Sequence, residues 1–252
     1  MHYAVIGCIH SNVDALKAVL ADIRQRGVER IVCLGDVVGF GPDPAECVDL
    51  IRQHCFMYVR GDHDLAMLGD SEGFIPKTQQ ILDWARSHLM AGDPQLVQAR
   101  TGFLEGGLEC FTSAGITFVH GSPRSASEYL FPSDVTKNPR KLRVAFAATE
   151  KVTFFTHTQV PGVILESPSL TWHPAQELDG FFHYKKGAKA LIGVGAVGQP
   201  RDGDPRACYL EINKNHMHWR RVEYDLQAVC EKMRALPEVF SSDYAIRLTK
   251  GR

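Results

Sequence analysis

The opening stretch of roughly 70 residues repeats one unit, a short apolar run, a polar loop and a helical stretch, and few folds accommodate that repeat. His2 to Ile6 reads as a buried strand, after which Val13, Leu16, Val19, Leu20 and Ile23 follow a helical period behind a Ser11 or Asn12 cap. Arg30 to Leu34 is a second strand, Asp43 to Gln53 a helix, and Phe56 to Val59 a third strand. Units of this kind form parallel crossovers, which bring the loops after the strands to one sheet edge. Those loops are Gly7-Cys8-Ile9-His10, Gly35-Asp36 and Gly61-Asp62-His63-Asp64.

Further along, Ile75 to Met90 reads as helix. Short strands follow at Glu109–Phe111, Ile116–Val119, Val152–Phe155, Val163–Glu166, Ala190–Val194, Cys208–Ile212 and His216–Val222. This strand-rich half predicts an α/β fold in which two mixed sheets pack face to face with helices outside, a four-layer α/β/β/α sandwich. No repeat, low-complexity tract or linker divides the chain, so residues 1–252 read as a single domain with a terminal helix and tail from about Asp225. The apolar pairs Phe154-Phe155 and Phe181-Phe182 read as core.

With 252 residues and 44% hydrophobic content, such a domain can bury a full core. Lys+Arg of 28 against Asp+Glu of 29 leaves no basic excess to hold a polyanion, which argues against a nucleic-acid partner. No apolar run approaches the roughly 20 residues that span a bilayer, and the chain enters its first strand without a basic and apolar leader. Seven cysteines without a Cys-x-x-Cys pair form neither a disulfide framework nor a zinc knuckle. A cytoplasmic protein without membrane contact is expected.

His10, Asp36 and Asp62 each follow a strand by a few residues, as do His120 and His157 later in the chain. Singly, each has an ordinary explanation, because an Asp after a strand commonly makes a turn and a His commonly lies on the surface. Together they make a nitrogen and oxygen donor set suited to manganese, iron or zinc rather than calcium. Asn12 follows the first loop and could contact substrate or cap the next helix. Arg201 could grip a phosphate as a bidentate fork or pair with Asp202 or Asp204.

The segments from Gly35 to Pro44, His120-Gly121-Ser122-Pro123 and Val197 to Arg206 resemble those of the calcineurin-like metallophosphoesterases, in the subgroup of small bacterial phosphodiesterases and phosphatases. The likeness runs from the first strand to about Tyr209. It implies a hydrolase in which one or two divalent transition metals drive water onto a phosphodiester or phosphomonoester, of the nucleotide or phosphoprotein class. By position, Asp36 resembles the carboxylate that bridges two metals, His10 belongs to the first, and His120 and His157 to the second. His63 resembles the histidine beside the scissile phosphate, with Asp64 placed to orient it. A homodimer or tetramer is compatible with the family.

Three positions depart from the family pattern, which has Asp where this chain has Cys8, Asn where it has Asp62 and His where it has Gln159. Cys8 and Gln159 both fall on the first metal, where a thiolate binds zinc or iron well and a Gln carbonyl binds weakly. The second metal gains an anionic oxygen from Asp62. The expectation is a rearranged mononuclear site or a mixed pair, with slower turnover. The alternative is an attenuated protein of this fold that serves as a binding or regulatory module, as the retromer subunit of the same fold does.

Overall fold

In the computed structural model, Ala4 and Ile6 of the first strand face one apolar cluster and Val5 faces another, and the second strand repeats the pattern with Ile31 and Cys33 against Val32 and Leu34. A strand buried on both faces needs cover on both sides, so this alternation already demands layers. The structure describes residues 2–69, 71, 73–214 and 216–252.

The strands are β1 (His2–Ile6), β2 (Arg30–Cys33), β3 (Met57–Tyr58), β4 (Cys110–Ser113), β5 (Ile116–Val119) and β6 (Val152–Phe155). Six more complete the sheets: β7 (Gly162–Leu165), β8 (Thr171–Pro174), β9 (Phe181–His183), β10 (Ala190–Gly193), β11 (Ala207–Asn213) and β12 (His216–Val222). They form two six-stranded mixed sheets, in the orders β3-β2-β1-β11-β12-β9 and β4-β5-β6-β10-β7-β8. In the first, β1, β2 and β3 run parallel, and in the second, β5, β6 and β10 do. The carboxyl ends of these parallel strands lead into the polar loops picked out above.

Between the sheets, Val5, Val32 and Leu34 meet Phe118, Phe154 and Ile192. Outside the first sheet lie α1 (Val13–Gln25), α2 (Pro44–His54) and, beyond the short α3 (Asp62–Leu68), α4 (Pro76–Leu89), whose apolar faces pack on Ala4, Ile6 and Tyr209. After α5 (Pro94–Glu105) and α6 (Asp134–Lys137), α7 (Pro139–Ala147) covers the second sheet through Leu142, Ala145 and Phe146 against Phe155, Ile164 and Leu191. The expected four layers are therefore present. The terminal region is two helices rather than helix and tail, α8 (Leu226–Arg234) and α9 (Ser241–Lys250), joined with α4 and Phe40 in a cluster of their own.

The sequence reading missed α5 and α7, although both begin at an Asx-Pro pair whose first residue accepts from the new helix: Asp93 from Gln95 and Leu96, Asn138 from Lys141. It also missed β8 and β9. Phe181, expected in the core, lies on edge strand β9 with 42% of its surface exposed, whereas Phe154 and Phe155 are fully enclosed. Phe154→Ala should therefore lower the unfolding free energy by about 3–5 kcal/mol and Phe181→Ala by less than about 0.5 kcal/mol in urea titrations. Equal losses would put Phe181 in the core after all.

Candidate metal centre

Several residues of the polar loops adopt a backbone that side chains disfavour. Cys8, His10, Ser11, Asp36 and Gln159 have φ of +47°, +47°, +57°, +50° and +62°. A non-glycine residue held there costs on the order of 1–3 kcal/mol, so the surroundings must impose it. They do so with a short ladder between the loops after β1 and β2: the amides of Cys8, His10 and Ser11 donate to the carbonyls of Gly35, Asp36 and Val37 at 2.9, 2.9 and 3.0 Å. Asp64 reinforces it from α3, accepting from the amides of Val37, Val38 and Gly61 at 2.9, 3.3 and 3.1 Å.

The ladder leaves Asp36 almost fully buried at the junction. Its Oδ1 accepts from the His63 amide at 3.1 Å, and its Oδ2 faces Nε2 of His120 at 3.3 Å and Nε2 of His10 at 3.6 Å. Asp62 Oδ1 lies 3.4 Å from both His120 Nε2 and His157 Nδ1, and these two ring nitrogens are 3.1 Å apart. Asp36, Asp62, His120 and His157 thus form one group that could hold an ion, and Cys8, His10 and Asp36 form an adjoining one. The first set fits a divalent metal on its chemistry: two carboxylates and two imidazoles converge, and the buried Asp62 Oδ1 has no hydrogen-bond partner among the described residues. His120 turns its other nitrogen, Nδ1, to the Leu34 carbonyl at 2.6 Å, which fixes the ring with Nε2 toward the cluster.

Electrostatics point the same way. Burial would raise the Asp36 carboxyl, but the rings of His120, His63 and His10 hold it well below the usual carboxylate range. Burial would lower His120, but Asp36 and Asp62 raise it well above an ordinary histidine. Its imidazolium supplies the positive charge that the carboxylates require. Burial and the neighbouring His120 push His157 down to about 4, and burial holds His10 well below its ordinary value against the pull of Asp36. The Cys8 thiol, wholly buried beside Asp36, is raised well above its ordinary value.

Some expected roles do not match the contacts. The Asp64 carboxylate is taken up by backbone amides and ties loops together, while His63 Nδ1 has no hydrogen-bond partner among the described residues, so Asp64 does not orient that ring. Asn12 is buried with its Oδ1 accepting from Ala15 and its Nδ2 donating to the Gly198 carbonyl, which makes it a cap and a loop clamp rather than a substrate contact. Arg201 pairs with neither Asp202 nor Asp204. Those carboxylates go to Arg221 and Arg206, and Arg201 Nη2 donates instead to Gln199 at 2.8 Å.

Aromatic side chains wall the site, and of these Tyr129 and Phe131 went unread. Tyr129 stacks on the His157 ring with centroids 3.8 Å apart, and Phe131 stacks on Tyr129. Phe40 touches both His10 and His63 and is itself backed by Tyr244 of α9. No periodicity marks such residues, because each touches the site through a partner distant in the chain. A cleft of about 470 Å³ lined by Arg60, Leu65, Phe74, Ser122 and Arg124 opens beside Asp62, which is the more exposed of the two carboxylates.

Residues 1–193 match the family model described as calcineurin-like phosphoesterase. An uncharacterized protein of Methanocaldococcus jannaschii is 34% identical over 243 residues, 93% of each chain. A metallophosphoesterase from Sphaerobacter thermophilus, of known crystal structure, is 32% identical with a TM-score of 0.82, covering 100% of this chain and 99% of that one. A hypothetical protein from Pyrococcus horikoshii, 16% identical with a TM-score of 0.73 over 100% and 98% of the two chains, shares the fold.

Two outcomes follow from the geometry. A Cβ at Gly61 would stand 2.1 Å from Asp36 Oδ1, so Gly61→Ala should displace that carboxylate and weaken the binding of Mn(II) at least about 10-fold, on the scale of losing a group that orients a ligand, as read by calorimetric titration. Because His120 carries a proton when no ion is bound and a ligand must be neutral, binding at pH 7 should release about one proton and tighten as pH rises. Titrations in buffers of different ionisation enthalpy measure that number, and zero release would contradict the charge on His120.

Proposed function

The chain belongs to the calcineurin-like phosphoesterase family, and on that premise we propose that its site hydrolyses a phosphodiester or phosphomonoester of the nucleotide or phosphoprotein class with a divalent transition metal. The observation that carries this reading is the convergence of Asp36, Asp62, His120 and His157 within 3.1–3.4 Å contacts beside an open cleft. Those four residues would hold manganese, iron or zinc. When bound, a divalent ion supplies positive charge against the phosphoryl oxygens and acidifies water enough to attack phosphorus near neutral pH.

The remaining work falls to this chain's own groups. His63 begins the first turn of α3, its amide fixed on Asp36 Oδ1 and its ring walled by Phe40 and Phe74 at centroid distances of 4.8 and 5.3 Å. Held there, the ring would pass its Nε2 proton to the departing alkoxide. Phe74 lines both the cleft and the His63 ring, so the organic part of a substrate lying in the cleft would stand next to the proton donor. Arg60 lines the cleft and would meet an anionic ester, while Arg124, also in the lining, is ion-paired with Glu128. Cys8 and Gln159 remove the usual carboxylate and imidazole from the neighbouring pocket, and an attenuated rate is expected.

Bis-p-nitrophenyl phosphate with added manganese, cobalt, zinc or iron tests the reading. Metal-dependent release of nitrophenol is expected, abolished in His157→Ala. His63→Ala should lower kcat by roughly 10²–10⁴-fold, the usual share of a general acid, with the ion still bound. Folded, metal-loaded protein inactive on diesters, monoesters and phosphopeptides alike would overturn the proposal in favour of a binding role.

A further inference from the structure

We infer that this centre is mononuclear: one ion sits among Asp36, Asp62, His120 and His157, and the adjoining pocket of Cys8, His10 and Gln159 has become a hydrogen-bonded wall. The inference rests on the reading of the site as a metal centre.

Donors about 2.0–2.2 Å from a shared ion, at angles near tetrahedral, lie about 3.3–3.6 Å from one another. The His120–His157, His120–Asp36, His120–Asp62 and His157–Asp62 contacts of 3.1, 3.3, 3.4 and 3.4 Å lie in that range or within about 0.2 Å of it. These donors are set for one ion before it arrives. The adjoining pocket has less to offer. Asp36 Oδ1 accepts from the His63 amide, and its Oδ2, which faces both His120 and His10, is shared with the four-residue set. His10 Nε2, the nitrogen that faces Asp36, is 3.1 Å from the side-chain amide of Gln159. Either orientation of that amide leaves the ring nitrogen hydrogen-bonded, although Gln159 Oε1 and His10 Nδ1 have no partner among the described residues. Cys8 Sγ donates to the Thr156 carbonyl at 3.6 Å, with Thr156 Oγ1 3.5 Å away.

Charge leads to the same count. A divalent ion in the four-residue set is matched by the carboxylates of Asp36 and Asp62. A second would have one thiolate, from Cys8 on losing its proton, with an imidazole and an amide and no carboxylate of its own, which leaves it net positive in an enclosed pocket. A buried charge without a counter-charge is expensive. The carboxylate missing at Cys8 and the extra one at Asp62 are, on this view, a single relocation of charge from one pocket to the other.

The test is a metal count, read without activity. Protein dialysed against Mn(II) is analysed by elemental analysis and by electron paramagnetic resonance. The background is His183→Ala/His216→Ala, because the Nδ1 atoms of those surface rings lie 3.2 Å apart and could hold an ion of their own. About one ion per chain is expected, with the six-line spectrum of isolated Mn(II). Cys8→Ala and Gln159→Ala should keep the count, His157→Ala should lose it, and Cys8→Asp/Gln159→His should gain a second, spin-coupled ion. Two ions in the parent background, the second lost in Cys8→Ala, would overturn the inference and leave the phosphoesterase reading standing. A thiolate-to-metal absorption band on loading with Co(II) would also overturn it. No ion in folded protein would overturn both. The parent count decides the matter even if the double variant fails to fold.

Discussion

The Asp36 carboxylate is the contact on which the site is built. One oxygen holds the start of α3 through the His63 amide, and the other faces imidazoles from both sheets, His10 after β1 and His120 after β5. Because it is enclosed, nothing in solvent can replace these partners, and its charge, with that of Asp62, raises His120 against burial. A buried carboxylate in such a place is tolerable only with compensating positive charge, from an imidazolium or from an ion.

That contact can exist only because two sheets deliver their parallel strand ends to a single edge. The inter-sheet core of Val5, Leu34, Phe118, Phe154 and Ile192 sets the spacing between them. The left-handed backbone at Cys8, His10 and Asp36 then turns the loops sharply enough for backbone to bond backbone, so strain in the loops is offset by the inter-loop ladder. Gly61 has to lack a side chain for the same reason. Substrate would meet the result from the side of Asp62, while Phe40 and the terminal helices close off His10.

Much of this was legible in residue order. Period-two and period-3.6 patterns located most strands and the first helices, and the four-layer arrangement followed from the strand-rich second half. Asp36, Asp62, His120 and His157 stand out because each sits just past a strand beside a glycine or threonine, and His10 because it closely follows the first strand. What escaped was local in one case and distant in another. The Asx-Pro starts of α5 and α7 were present in the sequence and passed over. The stacking of Tyr129 on His157, the seating of Asp64 on the Val37 and Val38 amides, and the diversion of Asp202 to Arg221 depend on which loops touch.

The chain's own sequence determined the kinds of donor, their place at strand ends, and the three departures at Cys8, Asp62 and Gln159, since these follow from residue identity and short-range pattern. Tertiary structure alone decided which donors meet. His10 and Gln159 are separated by 149 positions yet their side chains bond, while Asp64 is adjacent to His63 in sequence and its carboxylate bonds elsewhere. Distances of 3.1–3.4 Å among four donors arise from strand pairing across two sheets and from backbone angles with positive φ. No local pattern encodes either, because both are enforced by contacts between residues far apart in the chain.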